Sequence, residues 1–404
     1  MLMLCWEYPP RVIGGLARHA EGLARALTGL GHDVTVVTAG ADAPALEQAA
    51  GVHVRRAMGG HPHARDFLDW VKHLNHELLE AILAEVAGGK RFDLVHAHDW
   101  MVAPAAKAAK HALRIPLVAT IHATEFGRNG GLYTPEQRHI GDLEWWLTYE
   151  AWRVICCSQY MRGEITGFYQ VPGDKLRVIP NGVWPDEFQA GAPAGERAAA
   201  FRARYAAPEQ RLLFFVGRLV REKGVDVLLH AMQIAQGGGD NWKLVVGGRG
   251  PAYDSLRELA ERLGTAAHVY FTGFIDDATR NALYSVADAA VFPSTYEPFG
   301  IVALEAMAAG APLVCTTAGG LTEFVENERN GLLAAPGDAW TLHQALRRVC
   351  DEPGLGARLA AQGRADVAAK YRWPVVAETT AVLYQEVLDD HRQSGWSRPA
   401  ALAH

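Results

Sequence analysis

Two glutamates, Glu297 and Glu305, stand eight positions apart in the stretch STYEPFGIVALEAMAAGAP of residues 294–312. If residues 297–305 were helical throughout, the two carboxylates would lie roughly 12 Å apart along the axis. The carboxyl groups of retaining glycosidases lie about 5–5.5 Å apart, so this spacing does not suit an acid–base pair acting on one bond. Two contacts to one long ligand fit better, and an acidic helix cap with a solvated second glutamate is the alternative without chemistry.

The residues around these glutamates indicate what the ligand would be. The helix after Pro298 is apolar nearly all round, so the carboxylate of Glu305 needs a partner. The amides of Phe299, Gly300 and Ile301 are predicted to open this helix toward an anion. Carboxylates accept bonds from hydroxyls, so a ligand with hydroxyls at both ends and phosphate between them, a nucleotide sugar, is predicted.

Two further segments have the composition of phosphate sites. In FVGRLVREKG, Arg218 and Lys223 follow an apolar strand and suit a diphosphate, with solvated surface charge as an equally weighted alternative. In PPRVIGG, Gly14 and Gly15 would let free amides at a helix start approach phosphate, and a tight turn is the alternative. Neither G-x-G-x-x-G nor G-x-x-x-x-G-K-[ST] is present, which disfavours a dinucleotide dehydrogenase or a P-loop enzyme.

The histidines at strand ends form a third group. His96 and His98 in VHAHDW could bind zinc as an i, i+2 pair. No further His, Cys or carboxylate at a standard spacing completes a ligand set, so no metal site is predicted. The favoured interpretation is a sugar-binding cleft wall made by His122, Asp99 and Trp100.

The elements that position these residues follow from short apolar runs separated by amphipathic helical patterns. The runs are MLMLCW, DVTVVTA, FDLVHAHD, IPLVATIHA and RVICCS, then RLLFFVGR, WKLVVGG, HVYFTGF, AAVFPST and PLVCTT. This alternation predicts two doubly wound α/β domains with parallel sheets, at residues 1–185 and 200–375, joined near 182–200. A helix over 376–392 is expected to return to the first domain. Ligands of such sheets bind beyond the carboxyl ends of the strands, so a shared cleft is expected.

Bulk properties narrow the class of protein. The chain has 404 residues and a net charge of −6, which gives no reason to expect nucleic acid as a partner. Its five cysteines have neither metal spacing nor a disulfide framework. No apolar run approaches the roughly 20 residues that span a bilayer, and MLMLCWEYPPR lacks a basic n-region. A cytoplasmic protein is predicted.

The motifs together resemble a known family. GG after the first strand, GRLVREKG, EPFGIVALEAM with its E-x7-E spacing, and AGGLTEFV resemble retaining glycosyltransferases of the GT-B fold, family 4, near glycogen and starch synthases and sucrose synthases. The resemblance implies two Rossmann-like domains facing across a central cleft. It also implies transfer of a hexosyl group, glucosyl first, from a nucleoside diphosphate sugar to a hydroxyl acceptor such as an α-glucan or a small sugar. Retention of configuration and independence of metals and other cofactors are implied as well.

The resemblance also assigns roles to individual residues. The implied catalytic residues are His122 beside the donor sugar, Arg218 and Lys223 on the diphosphate, and Glu297 on sugar hydroxyls. Glu305 would bind the ribose, and the other implied contacts use the backbone: Phe299, Gly300 and Ile301 to sugar and phosphate, Gly15 to phosphate, and Ile275 to the base. The first loop departs from the Lys-x-Gly-Gly of bacterial glycogen synthases, because Val12 stands at the lysine position.

Two other functions fit the same fold. An isomerase such as a UDP-N-acetylglucosamine 2-epimerase would need acid and base groups at the sugar ring, which the histidines could supply. A catalytically silent nucleotide-sugar-binding subunit is the third option. The presence of both cations and both glutamates favours the transferase.

Overall fold

The computed structural model describes residues 1–40, 45–57, 64–190 and 192–396, so Gly191 of the predicted junction lies outside the described residues. The chain forms two compact units. The first unit comprises Met1–Gly182 and Trp373–His404, and the second comprises Val183–Arg372. Each unit has its own parallel sheet covered by helices, as the alternating apolar runs predict.

The first unit contains an eight-stranded sheet in the order β3-β4-β2-β1-β5-β6-β7-β8. All neighbouring strands are parallel except β3 and β4, which pair antiparallel at one edge. The central strands are buried along their whole length, because helices cover both faces of the sheet. The strands are β1 Leu2–Cys5, β2 Thr35–Ala39, β3 Leu46–Ala49, β4 Val52–Ala57, β5 Val95–His98, β6 Leu117–Ile121, β7 Arg153–Cys156 and β8 Leu176–Val178.

The second unit contains a six-stranded sheet that is parallel throughout, in the order β11-β10-β9-β12-β13-β14. The central strand β9 pairs with β10 on one side and with β12 on the other, so the loops that follow these strands emerge at the same edge of the sheet. The strands are β9 Arg211–Val216, β10 Trp242–Gly247, β11 Val269–Gly273, β12 Ala289–Phe292, β13 Leu313–Thr316 and β14 Leu332–Ala334.

The helices of the described residues alternate with these strands. They are α1 Gly15–Gly29, α2 Phe67–Ala87, α3 Ala103–Leu113, α4 Glu125–Asn129, α5 Pro135–Glu150, α6 Gln159–Tyr169, α7 Pro185–Gln189, α8 Glu196–Arg202, α9 Val225–Gly238, α10 Tyr253–Arg262, α11 Asp277–Val286, α12 Ile301–Ala309, α13 Ala339–Asp351, α14 Leu355–Lys370 and α15 Trp373–Gln393. In the part of the chain that the structure describes, no helix is both long and apolar enough to span a membrane.

Helix α15 is an integral part of the first unit. Trp373 packs against Gly22 of α1, where a Cβ would come within 2.1 Å of the indole ring. Farther along α15, the hydroxyl of the buried Tyr384 lies 2.6 Å from Nδ1 of His96 in β5. The helix therefore contributes both packing and a buried hydrogen bond to the core of this unit.

Candidate functional site

The structure brings Lys223 and Glu297 into direct contact. Lys223 ends the 3₁₀ turn Arg221–Lys223 that follows β9, and Glu297 lies in the loop after β12. The Nζ atom of Lys223 is 2.6 Å from Oε2 of Glu297, whose side chain is buried. Because β9 and β12 are neighbours in the sheet, their following loops meet at one edge. The pair is a charge-assisted hydrogen bond at the position where ligands of open α/β sheets bind.

Hydrogen bonds fix the loop that holds Glu297. The hydroxyl of Ser294 donates to Oε2 of Glu297 over 3.2 Å. The amide of Gly320 donates to the Glu297 carbonyl over 2.9 Å, and the amide of Thr295 donates to the carbonyl of Glu222 over 2.8 Å. The last bond joins this loop to the turn of Lys223. The backbone therefore fixes the position of the Lys223 ammonium relative to the Glu297 carboxylate.

Gly224 allows the two loops to approach so closely. Its φ is 66°, in the left-handed region, and a Cβ there would lie 2.0 Å from the carbonyl oxygen of Pro293. That oxygen belongs to the backbone and cannot swing aside as a side chain could. Glycine at this position is therefore required both for conformation and for space.

Arg218 stands apart from this pair. It follows β9 and is largely exposed, with its guanidinium 3.6 Å from Oε1 of Glu222. The backbone beside it is firmly held, since the amide of Leu219 donates to the carbonyl of Arg249 over 2.9 Å. Arg218 thus combines a fixed backbone with an exposed guanidinium that lies within reach of Glu222 and of an anion in solvent. Arg249, a further exposed cation at this edge, is absent from the sequence-based prediction.

The start of α12 is shaped by Gly300 and Phe299. Gly300 is the N-cap, with a φ of 102°, and a Cβ there would lie 2.6 Å from Leu321. Phe299 is buried against Phe324, with ring centroids 5.1 Å apart. The amides of Phe299, Gly300 and Ile301 have no backbone acceptor among the residues that the structure describes. The helix start therefore offers free donors and the positive end of its dipole.

Glu305 has the partner that its apolar surroundings demand. It is buried in α12, and Nε of Arg280 in α11 lies 3.7 Å from Oε2. The Arg280 guanidinium also lies over the ring of Phe188, 5.3 Å from its centroid. Burial, and then the charge of Glu305, raise the pKa of the neighbouring Tyr284. Arg280 was not identified from the sequence, because nothing in that segment signals that α11 and α12 pack together.

Ile275 lies at the same edge of the second sheet, in the loop after β11. It is half-buried, and a Cβ added at Gly247 would come within 2.9 Å of its Cδ1. Its side chain therefore packs at the end of β10, which places its backbone near the ends of two strands. Contact with a nucleotide base remains a prediction for this residue.

In the first unit, Glu7 occupies the helix start that the sequence analysis assigned to phosphate. Its Oε2 accepts bonds from the amides of Ile13, at 2.6 Å, and of Gly14, at 3.1 Å. Burial raises the pKa of this carboxyl, and the backbone bonds act in the opposite direction. The expectation of free amides at this loop is therefore wrong for Gly14, because Glu7 already uses its donor. Gly15, the first residue of α1, is exposed.

Asp99 positions His122. The amide of His122 donates to Oδ1 of Asp99 over 2.7 Å, and Asp99 itself adopts a φ of 61°, which is rare for a residue other than glycine. Burial raises the pKa of Asp99 to about 6. Burial also lowers the pKa of His122 to about 3, so its imidazole is neutral at pH 7. A neutral imidazole can accept a hydrogen bond from a hydroxyl with one nitrogen and donate one to a hydroxyl with the other.

The other histidines divide into two kinds. His96 is fully bonded, because its ring nitrogens lie 2.6 Å from the hydroxyl of Tyr384 and 2.7 Å from that of Thr120. It is a core residue and not the partner of His98 in a metal site. His98 instead meets His122, with 3.1 Å between Nδ1 and Nε2, and both lie beside His19 of α1. The sequence analysis missed His19, because a single histidine in a helical pattern carries no spacing signal.

Glu144 of α5 forms hydrogen bonds with the segment that follows His122. Its carboxyl group is buried and accepts bonds from the amide of Glu125, the first residue of α4, at 2.9 and 3.1 Å, and from the hydroxyl of Tyr169. Burial raises the pKa of Glu144 to about 8, although these bonds act to lower it. The carboxyl is therefore largely protonated at neutral pH.

We expect Glu144→Gln to flatten the pH dependence of stability. Between about 4.5 and about 8 the folded state holds a proton on Glu144 that the unfolded state has lost, so the free energy of unfolding falls as the pH rises through this window. Urea unfolding across the window measures the slope. Glu136→Gln, an exposed position in the same helix, is the matched control. An unchanged slope in Glu144→Gln would contradict the assignment.

This chain is similar to known proteins along nearly its whole length. Residues 13–187 match the model of Glycosyltransferase Family 4, and residues 197–366 match that of Glycosyl transferases group 1. An uncharacterised glycosyltransferase of Methanocaldococcus jannaschii is 38% identical over 389 residues, covering 96% of this chain and 98% of that protein. A glycogen synthase of Mycobacterium tuberculosis is 37% identical over 413 residues, covering 97% and 96%. The solved structure of sucrose-phosphate synthase from Thermosynechococcus elongatus matches with a TM-score of 0.83 at 25% identity, covering 96% and 99%.

Proposed function

Because this chain belongs to glycosyltransferase family 4 and has the GT-B fold, we propose that it transfers a hexosyl group, glucosyl first, from a nucleoside diphosphate sugar to a hydroxyl, with retention of configuration. The similarity to a glycogen synthase and to a sucrose-phosphate synthase supports glucose as the sugar and an α-glucan or a small sugar as the acceptor. These relatives are transferases, so the comparisons do not favour the isomerase.

The contact between Lys223 and Glu297 is the observation that carries the proposal. An ammonium group has three N–H donors, and Glu297 takes one of them, which leaves two for phosphate oxygens. The carboxylate can accept bonds from sugar hydroxyls with its remaining lone pairs. One pair of side chains thus supplies contacts for both sides of the bond between sugar and diphosphate.

Transfer would proceed on one face of the sugar. The acceptor oxygen bonds to the anomeric carbon, the bond from that carbon to the leaving phosphate oxygen breaks, and this oxygen takes the acceptor proton. The products are a glycoside of unchanged configuration and a nucleoside diphosphate. Lys223, Arg218 and the amides of residues 299–301 would stabilise the charge that develops on the diphosphate. The proposal therefore assigns no role to a metal ion.

The remaining predicted residues keep their roles within the proposal. Glu305 would bind the ribose hydroxyls while Arg280 neutralises its buried charge. His122 would contact the donor sugar, and Gly15 would offer its amide to phosphate, as the family resemblance implies. We retain a cytoplasmic location as part of the proposal, since all five cysteines are buried and none forms a disulfide, which is typical of proteins in reducing compartments.

The test is a transfer assay on the full chain with UDP-, ADP- and GDP-glucose and with glucan and small-sugar acceptors. We expect one donor to raise the melting temperature by mass action and to give an α-linked product in the presence of EDTA. A β-linked product would refute retention, and loss of activity in EDTA would refute metal independence. Epimerisation of the donor alone, followed by NMR, would replace the transferase by the isomerase.

A further inference from the structure

Three imidazole rings from separate elements of the first unit meet at one point. His19 lies in α1, His98 ends β5, and His122 follows β6. The centroid of His19 lies 4.5 Å from that of His122 and 5.2 Å from that of His98, and the last two are 5.4 Å apart. One ring nitrogen of each residue lies within 4.8 Å of those of the other two.

Two nitrogens of this cluster have no hydrogen-bond partner in the described part of the chain. Nε2 of His19 and Nε2 of His98 are both buried, and neither makes a hydrogen bond among the residues that the structure describes. Buried polar atoms of native proteins are almost always bonded, so each such atom calls for an explanation. Since both belong to the same cluster, one bound species would satisfy both.

Hydrogen bonds on the opposite side of the rings determine which nitrogen carries the lone pair. Nδ1 of His19 lies 2.5 Å from Oδ1 of Asn181. An amide oxygen only accepts, so Nδ1 carries the hydrogen and Nε2 presents its lone pair. Nδ1 of His98 lies 3.1 Å from Nε2 of His122, and this hydrogen bond uses one of the lone pairs that three ligating rings would need, so it must break when an ion binds. A histidine oriented by a bond to its other nitrogen is the usual arrangement at metal centres.

Charged groups around the cluster act on a bound cation in opposite directions. The carboxylate of Asp99, bonded to the amide of His122, favours a cation here, and the charge of Arg128 acts against it.

We propose that His19, His98 and His122 bind one divalent transition-metal ion of the zinc class. Zinc takes imidazole nitrogens at about 2.0–2.1 Å in tetrahedral geometry, which sets its ligand atoms roughly 3.3 Å apart. The ring nitrogens lie within 4.8 Å of one another, so the rings must turn and the bond between His98 and His122 must break to reach this spacing. Three protein ligands leave a fourth position for water or another small ligand, and the half-buried His122 connects the cluster to solvent.

The site has an inhibitory consequence, which rests on the proposed function. His122 is proposed to contact the donor sugar, and a ring that ligates a metal ion cannot make that contact at the same time. Zinc is therefore expected to inhibit transfer reversibly. The metal site itself stands on the geometry of the three rings and does not depend on transferase activity.

Cobalt titration of the untagged, metal-stripped full chain tests the site directly. We expect Co²⁺ to produce a visible ligand-field absorption that saturates at one ion per chain and that Zn²⁺ abolishes by competition. His19→Gln and His98→Gln are expected to weaken binding by about tenfold or more, and Asn181→Ala by about 10- to 100-fold. The control is His76→Gln, whose ring is 74% exposed in α2 and should titrate as wild type does.

Absence of a saturable absorption in the wild type would overturn the proposal, as would wild-type titration of His19→Gln, His98→Gln and His122→Gln. Thermal melts show whether His19→Gln and His98→Gln fold. If they do not, the titration of His122→Gln, at a half-buried position, provides the test. Since the readout is absorption, failure to observe transfer with any donor leaves this result unaffected. If cobalt binds but zinc does not inhibit an active enzyme, the inhibitory consequence is refuted.

Discussion

Lys223→Ala is expected to lower kcat for hexosyl transfer by roughly 100- to 1,000-fold and to change KM for the donor little. The negative charge on the departing diphosphate is larger in the transition state than in bound substrate, so a fixed cation acts mainly on the chemical step. Lys223 is fixed, since its side chain is only 24% exposed and bonds to Glu297. Steady-state kinetics with the donor found by the transfer assay measures both constants.

Two further variants separate this role from simple charge neutralisation. Arg221→Ala removes an exposed cation from the same turn and should leave kcat unchanged. If Lys223 served only to balance the buried Glu297, then Lys223→Ala combined with Glu297→Gln would recover activity. We expect the double variant to stay inactive, because the diphosphate then has no cation at position 223. Wild-type kcat in Lys223→Ala would contradict the assignment.

Gly224→Ala is expected to destabilise the second unit by several kcal/mol and to abolish transfer. A side chain at this positive φ costs on the order of 1–3 kcal/mol. Overlap with the carbonyl oxygen of Pro293, only 2.0 Å from the added Cβ, costs roughly 1–3 kcal/mol more as the backbone shifts. The shift would move the loop that carries Glu297 away from Lys223.

Gly239 at the other end of α9 is a matched control. Its φ is 82°, but a Cβ there meets nothing within 4 Å. Gly239→Ala therefore carries the conformational cost alone, on the order of 1–3 kcal/mol, and should retain activity. Hydrogen exchange of the α9 amides is the suitable measurement, because a chain of two units need not unfold in one transition. Equal effects of the two substitutions would show that the close approach to Pro293 is unimportant.

Buried parallel strands could be predicted from the sequence because each is a continuous apolar run. All ten runs contain a strand, from Leu2–Cys5 to Leu313–Thr316. Four strands escaped prediction for recognisable reasons. Val52–Ala57 carries charged residues, Leu46–Ala49 is a mostly exposed edge strand, and Leu176–Val178 and Leu332–Ala334 have three residues each. Such segments gain their structure from neighbouring strands, which local pattern does not reveal.

For the candidate site, the residue types and the strand ends that carry them could be predicted from the sequence. The contacts between side chains of different elements could not. The apolar helix around Glu305 implied a partner, but Arg280 becomes that partner only through the packing of α11 on α12. The glycines at 14 and 15 suggested free amides, yet Glu7 folds back to accept one of them. His19 likewise joins His98 and His122 only in three dimensions. Contacts between elements distant in the chain are what a single sequence does not show.

The inclusion of α15 in the first unit has a consequence for synthesis of the protein on the ribosome. The second unit is one continuous segment and can complete its sheet as soon as it emerges. The first unit, although its strands are translated first, must wait for α15, because Tyr384 supplies the partner of His96 and Trp373 covers Gly22. A nascent or truncated chain that ends before Trp373 would therefore expose this apolar surface to chaperones and proteases.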